Sequence, residues 1–187
     1  LQTPVAGPAP YTGANVARNA KVLASSQVTN QEATKAIDSV VGGYPANATA
    51  EWSTDAQRSG AWIQLYWSSA QTIDRVYLYD RPNGSDQVTA GTLTFSDGST
   101  VTVPSLNNGG TATVVTFTAR STTTLRFTVT SVSAATGNVG LAELEAYNGD
   151  PTPTTTPTPT PTATATPVAG PAPYSGPNVA RNASVLA

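Results

Sequence analysis

Residues 62–81 read WIQLYWSSAQTIDRVYLYDR. The first six alternate between two faces. From Ile73 onward the alternation returns, with Val76 and Leu78 on one face and Tyr77 and Tyr79 on the other. A period of two is that of a β-strand, and aromatic and β-branched residues suit a half-buried pleated surface. Two strands are therefore expected, at 62–67 and 73–81. Working outward, 92–96 and 99–103 flank Asp97-Gly98, a pair that favours a hairpin turn. Thr- and Val-rich runs at 111–119, 123–132 and 141–147 complete the set. Upstream, Thr29-x-x-Glu32 has the form of a capping box and predicts one short helix over 31–37. Seven or eight short strands joined by Gly-, Asn- and Ser-rich turns predict an all-β sandwich or jelly roll.

Composition narrows the chemistry. The 187 residues include no Cys, Met or His, and only 11% are charged. That excludes a disulfide framework, a thiol nucleophile, a zinc finger and any His-based general base or triad. Oxygen ligands remain, and they suit calcium rather than zinc or copper. The net charge is −2, the pI is near 4.9 and no basic patch is visible, so nucleic acid is not an expected partner. No apolar run reaches the length of a membrane span, and no signal peptide is visible. Residue 1 is Leu, which fits a processed product or a window from a longer chain.

The prolines divide the chain. Pro4, Pro8 and Pro10 open it, nine more lie between Pro151 and Pro177, and only Pro45, Pro82 and Pro104 fall between. The expected organisation is a linker end at 1–14, a globular unit at 15–149, a Thr/Pro linker at 150–177 and a further segment at 178–187. Residues 151–167 read PTPTTTPTPTPTATATP, with no charge and no large apolar side chain. Such a stretch cannot bury a core and should be extended and polyproline-II-like, spanning about 80 Å over 151–177. Its composition is that of O-glycosylated stalks, so Thr152, Thr154, Thr155, Thr156, Thr158, Thr160, Thr162, Thr164 and Thr166 are candidate glycan acceptors, with a bare spacer as the other reading. Residues 3–24, TPVAGPAPYTGANVARNAKVLA, return 163 positions later as TPVAGPAPYSGPNVARNASVLA, differing only at Thr12/Ser175, Ala14/Pro177 and Lys21/Ser184. This restart predicts a tandem array in which 178–187 begins the next unit. The rival reading is a separate subunit that donates 178–187 as a strand to a neighbour. Sequons at Asn47, Asn83 and Asn182 are weak signals in so Asn- and Thr-rich a chain.

The order NVARNAKVLASS, ATKAID, EWST, GAWIQLYW, IDRVYLYDR and VGLAELEAY resembles that of a discoidin-like domain, the coagulation-factor C-type, galactose-binding-like jelly roll that includes many carbohydrate-binding modules. The resemblance spans nearly all of 15–148, and LYDRPN with Asp86-Gln87 is similar to a bacterial subgroup often appended to secreted proteins. It implies a discoidin-like β-sandwich with one short helix. It further implies a structural Ca2+ held by the Lys35 carbonyl, Asp38, Thr49, Ala142 and Glu143. Two carboxylates plus neutral oxygens suit a hard cation. This chain departs from the family in Asp38-Ser39 and in the longer loop VVGGYPANA, which bears on Thr49. Sugar-binding members carry an aromatic platform with Arg, Asn and Asp on loops at one end, which points to Tyr44, Trp52, Arg81, Asn83 and Asp86. An Arg fork can hold vicinal hydroxyls and a ring can stack on a pyranose. Trp52 and Trp62 also read as core, and Asp80-Arg81-Pro82-Asn83 as a salt-bridged strand end and turn.

The repeat, the linker and the low charge favour an extracellular or cell-surface structural protein, a tandem unit of a glycosylated fibre, stalk or coat whose partners are copies of itself. The alternative is a carbohydrate-binding module of an adhesin or secreted enzyme, with glycans as partners. No enzyme activity is expected: Glu143 and Glu145 are taken to face opposite sides of one strand and so not to form a glycosidase pair.

Overall fold

The structure is a computed structural model that describes residues 13–148. The linkers, the second copy at 178–187, the candidate glycan acceptors of the Thr/Pro run and the Asn182 sequon lie outside the described residues.

Among the described residues, eight strands form the domain: β1 (Lys21–Ala24), β2 (Trp52–Ser53), β3 (Trp62–Tyr79), β4 (Val88–Phe95), β5 (Thr100–Val103), β6 (Thr113–Val132), β7 (Gly140–Leu141) and β8 (Glu143–Tyr147). The main sheet runs β1-β3-β6-β4-β5, with β8 also pairing β3, and β2 pairs β7 in a second, two-stranded sheet. Each of these pairings is antiparallel. This is the all-β, discoidin-like sandwich that the strand pattern and the motif order lead one to expect.

The differences lie in continuity. The two strands expected at 62–67 and 73–81 are one bent strand, β3, and those expected at 111–119 and 123–132 are the single β6. No Gly, Pro or Asn interrupts either junction, so the ribbon runs on and absorbs the bend as register shifts between Tyr66/Gln71 and Ile73/Arg75. One half of the ribbon sends Ile63, Leu65, Leu125 and Phe127 inward, and the other sends Val76, Leu78 and Val115. Trp52, Leu93, Leu141 and Leu144 close the same core, all fully buried.

The short helix is also different. Residues Ala33–Ile37 form a 3-10 turn, not an α-helix. Thr29 does not cap it: Glu32 stands at the cap position, and its carboxylate accepts the N–H of Asn30 at 2.9 Å. Five residues are too few to repay helix nucleation, so packing of Ala33, Ala36 and Ile37 into the core decides the conformation.

The boundaries of the domain meet. Asn15 and Tyr147 form an isolated antiparallel bridge, and the Asn15 Oδ1 accepts the N–H groups of Ala17 and Ala146, both at 3.1 Å.

Candidate functional site

Glu51 organises one group of loops. It precedes β2, is 0% exposed, and accepts Arg81 Nη2 at 2.8 Å and Nε at 2.9 Å on one oxygen. The other oxygen accepts the backbone N–H of Tyr44 at 3.0 Å. Arg81, at the end of β3 and 5% exposed, spends its remaining fork on Asn138 Oδ1 at 2.8 Å and Asp86 Oδ2 at 3.3 Å. Asp86 in turn accepts Asn83 Nδ2 at 2.7 Å and the Gly137 N–H at 2.6 Å. One buried carboxylate and one guanidinium thus tie together the loops at 39–50, 80–87 and 133–139. The loop at 39–50 passes close enough that a Cβ on Gly43 would fall on the Glu51 carboxylate and come within 2.6 Å of Pro82 Cδ. Beside it, the Asp80 carboxylate accepts the N–H groups of Arg81 and Val88, both at 3.0 Å. Burial nevertheless pushes its pKa up to about 7, against the pull of those two donors and of Arg81.

Three of the five residues proposed from the sequence therefore come together. Arg81 and Asn83 both bond to Asp86 Oδ2, as a salt-bridged strand end and turn. Trp52 is corrected as a platform: it is fully buried, and its indole N–H donates to the Ser26 carbonyl at 3.0 Å, so no ring face is open to a sugar. Tyr44 is the exposed aromatic at this end, 51% accessible, on a loop whose backbone Glu51 holds. The sequence reading missed Glu51 and Asn138. The signal for Glu51 was a charged residue heading the EWST motif, directly against an apolar strand start.

A second polar centre lies where the Ala33–Ile37 turn meets β8. Glu143 is buried; its Oε1 accepts the Ser39 N–H at 3.1 Å, and its Oε2 has no partner. Burial, with the charges of Asp38 and Glu145 adding to it, pushes its pKa up to about 8. Glu143 and Glu145 share a face, contrary to expectation, because residues two apart on a strand point the same way. Asp38 accepts the Val40 N–H at 2.9 Å. Thr49 is exposed and donates its hydroxyl to Asn47 Oδ1 at 2.8 Å. Among the described residues no three acidic side chains converge as a metal cluster. Any cation here would rely on Glu143, Asp38 and neutral oxygens, and the orphaned Oε2 is the feature that fits one.

The fold and its β-strand order are those of a discoidin-like β-sandwich. The chain belongs to the family described as domain of unknown function DUF7402, whose model matches residues 15–147. No curated protein matches the sequence. Among solved structures, the chain is similar to chitosan-binding module 2 of a chitosanase/glucanase from Paenibacillus sp. IK-5, in complex with chitotriose. That match has 27% identity and a TM-score of 0.56, covering 72% of this chain and 100% of that one. It is also similar to chitosan-binding module 1 of the same enzyme, at 26% identity and TM-score 0.56, covering 72% and 99%. The family 32 carbohydrate-binding module of C. perfringens NanJ, in complex with galactose, shares the fold at 16% identity and TM-score 0.58, covering 72% and 98%. Among the described residues no helix is long and apolar enough to cross a membrane.

Proposed function

We propose that the domain is a non-catalytic carbohydrate-binding module of an extracellular or surface protein, recognising its glycan at the end that carries Tyr44. The observation that carries this reading is the Tyr44 loop. A half-exposed ring stands on a backbone tied to a fully buried carboxylate, so stacking on a pyranose costs little ordering entropy. Asn83 and Asp86 stand on the loop that the same network holds. Arg81 acts from beneath as a structural tie. The similarity to two chitosan-binding modules makes β-1,4-linked glucosamine polymers the first ligands to try. Calorimetric titration with chitotriose, soluble chitosan and galactose tests it. At least one is expected to bind, and Tyr44→Ala to weaken binding about tenfold, or about 1.4 kcal/mol, with Tm held within about 1 °C. No binding by any of the three would refute it.

A Ca2+ ion is part of the proposal. Asp38 and Glu143 would hold it, with carbonyl oxygens of Lys35 and Ala142 completing the set and Thr49 as the outermost candidate. Its contribution would be to neutralise two neighbouring carboxylates and clamp the Ala33–Ile37 turn to β8.

The near-identical restart after 163 residues favours a second reading: modules strung in series on glycosylated Thr/Pro spacers as a fibre or coat. The two readings combine, since an array multiplies weak sugar contacts into avidity. Intact mass of native material tests the glycans, and an unmodified mass over 151–167 would remove them.

A further inference from the structure

A hollow of about 440 Å³ lies against the bridge that joins the two boundaries of the domain, lined by Asn15, Arg18, Asn19, Ser39, Glu145 and Tyr147. Tyr44, Arg81, Asn83 and Asp86 do not line it; from the 39–50 loop only its first residue, Ser39, does. Its size is at the small end of the range for ligand sites. We propose that it is a second carbohydrate subsite, taking a single neutral, hydroxyl-rich sugar ring.

The argument begins with rigidity. Asn15 is pinned by two backbone donors on its Oδ1, and its Nδ2 is buried without a partner. Glu145 is half-buried beside Tyr79 and Tyr147. The Tyr147 ring packs edge-on against Tyr77, with centroids 5.4 Å apart. These walls are held by groups outside the hollow, as a preorganised site requires. By contrast, the Arg18 guanidinium and the Asn19 side chain have no hydrogen-bond or ion-pair partner among the described residues, and both are exposed. They are the groups left over for a ligand.

The charges decide its class. The hollow holds one carboxylate and one guanidinium, with two neutral amides and the hydroxyls of Ser39 and Tyr147. Within the lining a cation would meet Arg18 and an anion would meet Glu145, so neither ion has the hollow to itself. A polyol meets matched partners. A carboxylate has about four lone-pair sites, so Glu145 can accept from adjacent sugar hydroxyls. Arg18 offers a planar fork to adjacent oxygens, and Asn19 both donates and accepts. The second copy of the opening segment keeps Asn15, Arg18 and Asn19, as Asn178, Arg181 and Asn182, while Lys21 beside them becomes Ser184.

The test is a ¹⁵N–¹H correlation titration of the full 187-residue chain with glucose, galactose, mannose and N-acetylglucosamine, each to 50 mM. Glucosamine and glucuronate serve as charged comparators. The expected result, for at least one neutral sugar, is saturable shifts at the amides of Asn15, Arg18, Asn19, Ser39, Glu145 and Tyr147. Arg18→Ala should weaken that response at least fivefold, with Tm unchanged, and Tyr44→Ala should leave it intact. No shifts at these amides with any neutral sugar would overturn the proposal. So would shifts seen only with glucosamine or only with glucuronate, which would mark an ion-pairing pocket. Shifts confined to the surroundings of Tyr44 and Asn83 would overturn it while supporting the loop-end site.

Discussion

Replacing Arg81 with methionine keeps most of the side-chain volume and removes the guanidinium. Glu51 then loses both of its charged contacts at 2.8 and 2.9 Å, Asp86 loses one at 3.3 Å and Asn138 one at 2.8 Å. Two carboxylates, one of them fully enclosed, are left with no buried cation. Breaking a buried pair from one side costs about 3–5 kcal/mol, chiefly as the penalty of the uncompensated charge. For a domain of about 130 residues the unfolding entropy near Tm is about 0.27 kcal/mol per degree, so the loss should be about 11–18 °C. Glu51→Gln in the same background replaces the stranded charge with a neutral amide. The double variant should recover at least about 1.5 kcal/mol of the deficit, and the cycle should give a coupling energy of similar size. Thermal and urea unfolding of the wild type, both singles and the double, with equal m-values, measure this. A deficit below about 1 kcal/mol for Arg81→Met, or no recovery in the double, would refute the reasoning and return Arg81 to the list of solvent-facing sugar contacts. The same experiment guards the binding assay, since an Arg81 variant that loses sugar affinity has first lost the frame that carries Tyr44.

The other predictions concern the neighbouring loop and the buried carboxylates. Gly43→Ala places a methyl on the Glu51 carboxylate and against Pro82, neither able to retreat, so it should destabilise by about 2 kcal/mol or more and weaken sugar binding; a neutral result would place the loop away from Glu51. Burial lifts Asp80 to about 7 and Glu143 to about 8, above their values in the unfolded chain. The folded state therefore holds protons that the unfolded chain has released between roughly pH 4 and 8, and stability falls as pH rises through that window. Metal-free protein should melt lower at pH 8.5 than at pH 5.5, and a rising Tm would contradict the burial argument. At pH 7.5, calcium at a hundred times its Kd should add about 2.7 kcal/mol over protein in EGTA, and Glu143→Gln should remove most of that increment; equal melting points in calcium and EGTA would exclude the ion.

Much of the architecture was legible because strand periodicity is a local signal. The alternation at Val76, Tyr77, Leu78 and Tyr79 assigns those side chains to faces without knowledge of any neighbour. The Asp97-Gly98 turn was equally visible: Gly98 takes a positive φ of 79°. Continuity was not legible. Whether SSAQT ends a strand or bends one depends on a partner about 50 residues away: β6 pairs up to Tyr66, and again from Gln71 after a register shift.

The site divides in the same way. Arg81, Asn83 and Asp86 lie within six positions, so their association could be read from spacing. Glu51 and Asn138 join them from 30 and 57 residues away, and only the fold brings those charges and amides into one buried network. Trp52 shows the limit most plainly. A tryptophan carries the same ring whether it floors a core or faces a sugar, and its environment alone decides between them. The chain read alone specifies strands, faces, a Pro-divided layout and an oxygen-only metal chemistry, all of which follow from residue type and near-neighbour spacing. The tertiary structure decides which polar groups are desolvated and which stay open, because burial is a property of the assembled layers and of no single segment.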